Sequence, residues 1–309
     1  MIFVSSDKHI FSFGPDLEPV AYAKPGDIIC FETLDCFAGQ LTSEIQSIAN
    51  IDLTRANPAT GPVFIEGAEP GDTLKIEILD IRVSKTGVVV ALPGFGLLGD
   101  KLRDERIRIC RIEDGFVYCT VKDSSRPVKI RLPYKPMVGV IGVAYSKKVP
   151  STIPGVHGGN MDTKLITRGT AVYLPVFKEG GLLAVGDVHA VMADGEMCAT
   201  GCEVSGEVVV RVDVIKGCSV QWPIIEAEDA IYIIVSKESL EEAFYEASNA
   251  AARAISCSLS LEFEDAYMIA GLIVDLQVSQ VVNVVKTVRA RIPKEFASIT
   301  QILEALNNR

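Results

Sequence analysis

Only eight of the 309 residues are cysteine, three are histidine and one is tryptophan. Cysteines this sparse exclude a disulfide scaffold, and no two stand in a CxxC pair. Cys198 and Cys202 are separated by three residues, a poor spacing for a zinc knuckle, so reduced and mostly buried thiols of a cytoplasmic protein are expected. Basic charge is also short: 30 Lys and Arg stand against 40 Asp and Glu, for a net charge of −10. The basic residues form no stripe, so the chain lacks the electrostatic footprint of a nucleic-acid binder. No apolar run approaches the ~20 residues of a membrane-spanning helix. The most apolar stretch, residues 87–98, is broken by Pro93, Gly94 and Gly96. The opening residues MIFVSSDKHIFSFG carry no basic start, long apolar run or small-residue cleavage site, so no export signal and a cytoplasmic location are expected.

What is present is apolar and ordered. Hydrophobic residues make up 48% and charged residues 23%, which excludes a disordered chain. The mean hydropathy of +0.28 then belongs in a large β-rich core. Leu74, Ile76 and Ile78 alternate with Lys75 and Glu77, and Val210, Val212 and Val214 alternate with Arg211 and Asp213. This period of two marks half-buried strands. Gly and Pro punctuate the first 235 residues and no helical period persists there.

An internal repeat lies 45 residues apart: AKPGDIICFETLDC at 23–36 and AEPGDTLKIEILDI at 68–81. Each Pro-Gly-Asp suits a type II turn, with Gly at the position of positive φ, feeding a strand. A partial echo is Val185-Gly186-Asp187. Helical signals come late. Ser239 and Glu242 form a capping box ahead of Leu240, Phe244, Ala247, Ala251 and Ile255 on one face. A shorter helix is expected over 261–270 and a last one over 293–307 with Pro293 at its start, with a strand over 272–285 between them. The expected fold is mainly β: a jelly-roll-like sandwich (1–80 with 148–225), a small β-barrel insertion (81–147) and a C-terminal α+β portion (226–309).

Several motifs can be set aside. GFGLLG at 94–99 matches GxGxxG, but Pro93 precedes it and strand-like alternation follows, so it is no dinucleotide fingerprint. There is no GxxxxGK[ST] and no GxSxG elbow. His9 reads as solvated. His157 in PGVHGGNMDTK and His189 in GDVHAVMADGE lie in segments dense in Gly, Asp and Glu, the mixture a divalent metal site requires. The same residues read equally as turn acids and a satisfied strand histidine. If Asp194-Gly195 were a two-residue turn, His189 would face Thr200 and Glu203 would lie on the other face. A longer turn, or a bulge at Gly201, would bring Glu203 beside His189. Cys36, beside Asp35, is a candidate thiolate nucleophile or a small buried hydrophobe.

GPVFIEGAEPGDTLKIEILDI, HGGNMDTK and GDVHAVMADGE followed by Glu203 closely resemble the acetamidase/formamidase family, as do Asp35-Cys36-Phe37 and EDAYMIAGL at 264–272. The resemblance runs over residues 35–293. It implies an enzyme that hydrolyses small linear carboxamides to ammonia and a carboxylate, binds zinc and/or calcium, and forms a homodimer or larger assembly. The positions matching its motifs are Asp35, Asn160, Asp162, Lys164, Asp187, His189, Asp194, Glu196 and Glu203. From these, with His157 added because it immediately precedes the GGN motif, the metal ligands are expected among Asp35, His157, Asp162, His189 and Glu203. Glu196 or Asp194 is expected to carry protons, with Lys164 holding the oxyanion or keeping the neighbouring acids ionised. Asn160, Met192 and Cys36 are expected to line the substrate site. Met192-Ala193 and Tyr145 depart from the Gln-Gly of some formamidase-type members and the Pro of many members, and Met192 suggests a less polar acyl group than formyl. Two other readings use the same residues: a non-catalytic metal- or ligand-binding sandwich, and a Cys36-nucleophile amidase.

Overall fold

The computed structural model describes residues 1–122 and 126–307. The chain is mainly β, with a C-terminal α+β portion. One sheet has nine strands, in the order Ile2–Val4, Ile28–Thr33, Gly206–Ile215, Thr73–Val83, Ala171–Pro175, Ile224–Glu226, Ala230–Lys237, Lys286–Pro293 and Asp275–Gln280. The repeat noticed in the sequence is built into it: Ile28–Thr33 and Thr73–Val83 flank Gly206–Ile215 on either side, both antiparallel to it. Their entry turns match. Asp27 N donates to Lys24 O and Asp72 N to Glu69 O, with Gly26 and Gly71 at φ +89° and +97°.

The second sheet carries the functional region. Its central strands run Glu203–Val204, Leu183–His189, Met137–Gly142 and Gly158–Asn160. Its inner face packs on the nine-stranded sheet through fully buried Val63, Ile65, Val138, Val185 and Val188 against Ile29, Phe31, Ile76, Val208 and Val210. Burying one such side chain contributes roughly 1.5–3 kcal/mol. The segment expected as a barrel contributes Thr86–Ala91, Arg106–Glu113, Phe116–Lys122 and Pro127–Pro133, paired in that order as an antiparallel meander. Thr86–Ala91 joins it to the sheet through the Val88 and Glu203 pair.

The C-terminal portion extends the nine-stranded sheet and covers its end with helices. These are α1 (Leu240–Leu259), α2 (Phe263–Ile273) and α3 (Ile299–Ala305). Ser239 caps α1 by accepting from Glu242 N, and its alanines form a narrow buried face that lets the helix lie close to the sheet. Two boundaries differ from expectation. Pro293 ends the strand Lys286–Pro293 rather than starting a helix, because the last helix begins at a capping box of Ser298 and Gln301. The expected strand over 272–285 is shorter, Asp275–Gln280, because α2 runs on to Ile273. Among the described residues no helix is long and apolar enough to cross a membrane.

Candidate functional site

His189 ends its strand directly opposite Glu203. Asp194-Gly195 is therefore not a hairpin turn. Ala190 N donates to Cys202 O while Cys202 N donates to Val191 O, so two residues face one at Ala190 and Val191, and the parity changes there rather than at Gly201. The loop beyond reaches the C-terminal portion: Gly195 N donates to Ser279 O and Val281 N to Gly195 O. Asp187 lies two residues before His189, on the same face of the strand, at φ +53°. Asp162 follows Gly158–Asn160 at φ +41°, and Glu196 sits at φ +47°. Left-handed backbone at three acidic residues in one place is strain held in a functional region. Gly158 shows why HGGN is glycine-rich: at φ +90° a Cβ added there would collide with the Ile141 carbonyl oxygen.

These elements bring one imidazole among four carboxylates, all buried. His189 Nε2 is 3.2 Å from Glu203 Oε2, 3.4 Å from Asp187 Oδ1 and 3.9 Å from Asp162 Oδ1. Donor atoms of Asp162, His189 and Glu196 lie within 4.8 Å of one another, as do those of Cys36, Asp187 and Glu203. A cleft of about 100 Å³ opens onto them, lined by Asn57, Asn160, Asp162, Asp187, Glu196 and Glu203 among others. Two larger surface grooves, of about 400 and 470 Å³, are lined by partly exposed ion-paired side chains, so size does not mark the site.

The electrostatics of this group are strained. Burial, with the neighbouring Asp187 and Glu203 charges, pushes the Glu196 carboxyl up to about 8 against the opposing pull of His189. Glu203 rises to about 7, chiefly by burial. Asp162 is driven well up by burial and by Glu196 and Asp187. Burial alone would lower His189, but Glu203 and Asp187 hold its imidazole well above the usual range. Among the described residues no lysine or arginine pairs with any of the four acids. Asp162 Oδ1, Asp187 Oδ1, Glu203 Oε2, Asn160 Oδ1 and His189 Nδ1 are buried without a hydrogen-bond partner. Burying several such atoms unsatisfied is costly, and a divalent cation is the group that satisfies carboxylate oxygens together with an imidazole. The donor set fits one.

Other expected residues stand elsewhere. His157 is buried between the rings of Phe13 and Tyr145, at 5.2 and 5.4 Å, its pKa pushed down to about 4 by burial. It belongs to neither donor group. Asp35 turns its Oδ1 to Phe37 N and Gly39 N at 2.9 and 3.1 Å, beside Asp187 but outside both groups. Cys36 lines the cleft, but burial, followed by Glu203, Asp187 and Asp35, drives its thiol well up and disfavours the thiolate. Met192 is buried and not among the residues lining the cleft. Lys164 and Asp194 are bound to each other at 2.7 Å.

Asp194 is held more firmly by a residue the sequence did not suggest. Arg289 Nη1 and Nη2 donate to its two oxygens at 2.8 and 2.7 Å, and the Arg289 side chain is only 3% exposed. Burial raises the Asp194 carboxyl, yet the hydrogen bonds from Arg289 and Lys164 outweigh it and keep the pKa below the ordinary value. This pair ties the loop 190–202 to the strand Lys286–Pro293. Replacing Arg289 with methionine is expected to destabilise the fold by about 1.5–3 kcal/mol, read as a lower urea midpoint; an unchanged midpoint would show the tie to be idle. Because the folded pKa is depressed, the stabilisation is full above the unfolded carboxyl value of about 3.9. It is lost as pH falls through the lower folded value. Asn57 and Asn283, which touch Asp187 and Asp162, were also missed, and no motif marks either.

Fold and site together define a β-sandwich protein with a small acidic cleft built around one imidazole. The chain belongs to the Acetamidase/Formamidase family, whose sequence profile matches residues 5–155 and 149–298. The acetamidase of Bacillus halodurans is 41% identical and superposes with a TM-score of 0.90 over 96% of this chain and 98% of that one. A predicted acetamidase/formamidase from Thermoanaerobacter tengcongensis is 39% identical, with a TM-score of 0.89 over 99% and 97%. A formamidase of Methylophilus methylotrophus is 27% identical over 255 residues, 65% of this chain and 63% of that protein. The chain thus spans slightly less than two thirds of the length of the curated relatives it matches.

Proposed function

We propose that this protein hydrolyses small linear carboxamides, of the formamide and acetamide kind, to ammonia and a carboxylate with the help of a divalent cation. The observation that carries the reading is the burial of Asp162, Asp187, Glu196 and Glu203 around His189, with inward-facing oxygens that have no hydrogen bond and, among the described residues, no lysine or arginine paired with them. Family membership supports the amide chemistry. The cleft of about 100 Å³ supports a substrate of a few heavy atoms, since pockets for drug-sized ligands run to ~300–1,000 Å³.

Asp162, Asp187, His189 and Glu203 are the residues that would hold the ion. Zinc suits the imidazole and calcium the surplus of carboxylates. When bound, such an ion supplies a Lewis acid for the amide carbonyl and lowers the pKa of water. The chain's own part is proton transfer and placement. Glu196, with a pKa raised to about 8, is matched to accept a proton from the attacking water near neutral pH and return it to the leaving nitrogen. Water adds to the carbonyl carbon, the C–N bond breaks with its electron pair on nitrogen, and the returned proton completes ammonia. Asn160 Oδ1, buried and unpartnered at the cleft, is placed to accept from the amide NH2. Asp194 and Lys164 serve in this reading as anchors of the loop carrying Glu196. The chain is also read as a homodimer or larger assembly; exposed Phe263, Tyr267, Met268 and Leu272 along α2 support a covered face.

Ammonia release from formamide, acetamide and propionamide, before and after chelation and readdition of zinc or calcium, tests the reading. Activity should vanish on stripping and return with one ion, and Cys36→Ser should keep most of it. Turnover that survives chelation but is lost in Cys36→Ser would replace this account with a thiol nucleophile. Tight ion binding without turnover of any amide would leave a binding protein.

A further inference from the structure

We propose that Asn57 and Asn283 are a pair of positioning residues that decide which oxygen Asp187 and Asp162 offer to the cation; this rests on the metal reading above. The arrangement is the same on both sides of the cleft. Asn57 Nδ2 donates to Asp187 Oδ2 at 3.0 Å, and Asn283 Nδ2 donates to Asp162 Oδ2 at 3.0 Å. In each carboxylate the other oxygen, Oδ1, is buried, has no hydrogen bond, and faces His189 Nε2. An ionised carboxylate only accepts, so each asparagine must present its NH2 rather than its carbonyl. Occupying the outer oxygen fixes the rotation of the carboxylate and leaves the inner oxygen free for a positive charge. Two neutral donors do this without adding a competing cation.

Both asparagines are held by the chain independently of the aspartates. Asn57 N donates to Cys36 O at 2.9 Å, and its φ of +51° lies in the left-handed region asparagine tolerates. Asn283 N and Val282 N donate to Gln280 Oε1 at 3.0 and 2.9 Å. Gln280, fully buried, in turn donates to Val285 O and Thr287 Oγ1 at 2.7 and 3.0 Å. Asn283 also donates to Asn160 O at 3.3 Å. The C-terminal portion therefore completes the site through this loop. Groups that orient a metal ligand in this manner commonly carry 10–100-fold in affinity.

The test uses the full chain, stripped with chelator and titrated with Zn(II) and separately with Ca(II) against a competing indicator. Asn283→Ala and Asn57→Gly, the latter chosen because glycine keeps the left-handed backbone, should each bind the ion about 10–100-fold more weakly. The double variant should bind more weakly than either. Metal-free thermal midpoints should stay close to the parent's, and excess ion should restore amide turnover in Asn283→Ala, which a merely structural role would not allow. Folded variants that bind as tightly as the parent overturn this proposal and leave the metal reading standing. Loss of binding with a lowered metal-free midpoint and no rescue by excess ion also overturns it. A parent protein that binds neither ion overturns both.

Discussion

Replacing His189 with alanine should abolish ion binding and lower amide turnover by roughly 10³-fold, the equivalent of ~4 kcal/mol of transition-state stabilisation. The size of the effect follows from what His189 alone contributes. Among the described residues it is the only nitrogen donor in the group and the only side chain whose charge opposes the four buried carboxylates. Its Nε2 lies within 4 Å of three of them. Without it the acids repel one another with no opposing charge among them and take up protons, and a protonated carboxyl is a poor ligand. His189→Gln keeps a polar side chain in the site and separates loss of function from loss of fold. If either variant, folded by circular dichroism, kept turnover within tenfold of the parent, the site assignment would fail.

The second large effect is expected at a residue with no side chain. A Cβ on Gly139 would lie 2.6 Å from Asp162 Oδ1, 2.6 Å from Asp187 Oδ2 and 2.9 Å from Asp187 O. Two of these atoms belong to side chains that can rotate, but the third is backbone in the neighbouring strand, which cannot yield cheaply. Gly139→Ala therefore wedges a methyl group between two proposed ligands. The expected result is a destabilisation of about 1–3 kcal/mol and a fall in turnover of ~10²-fold from misplaced carboxylates. Gly271→Ala, in α2 with nothing within 4 Å of the added Cβ, is the control and should leave turnover unchanged. Normal turnover in Gly139→Ala would show that the two aspartates need not hold these positions.

Much of the scaffold can be read from the residues in order. Strand periodicity is a local property, set by which of two faces each side chain takes, so Leu74, Ile76 and Ile78 or Val208, Val210 and Val212 announce buried faces before any packing is known. The turns at Pro25-Gly26 and Pro70-Gly71 are equally local, since Gly supplies the positive φ that the turn requires. Capping signals are local too. Ser239 marks the start of α1, but Pro293 fits the end of an edge-adjacent strand as readily as the start of a helix, and the Ser298 and Gln301 box is what starts α3.

The candidate site is less local. Asp162, His189, Glu196 and Glu203 stand out because acids and histidines cluster in Gly-rich segments; Asp162 and Glu196 do meet His189, and Glu203 lies 3.2 Å from its Nε2. His157 carries the same signal and is enclosed by aromatic rings instead, since its strand Gly158–Asn160 presents the residue before it to Phe13 and Tyr145. Arg289 sits in an alternating strand where Thr287 and Arg291 suggest a solvent face. It is buried only because the loop 190–202 folds over it and delivers Asp194.

By itself the sequence determined the β class, the repeated turns, the acidic balance and the set of acids and histidines from which a site can be drawn. Each of these depends on residues within one strand or turn of one another. Only the tertiary structure decided that His189 faces Glu203, because the register depends on a bulge at Ala190 and Val191 and on a loop pinned through Gly195 to Ser279 and Val281. It also decided that Asn57 and Asn283 address Asp187 and Asp162, contacts between residues 130 and 121 positions apart. Such contacts are selected by packing and by the need to satisfy buried polar atoms, and neither leaves a periodic trace along the chain.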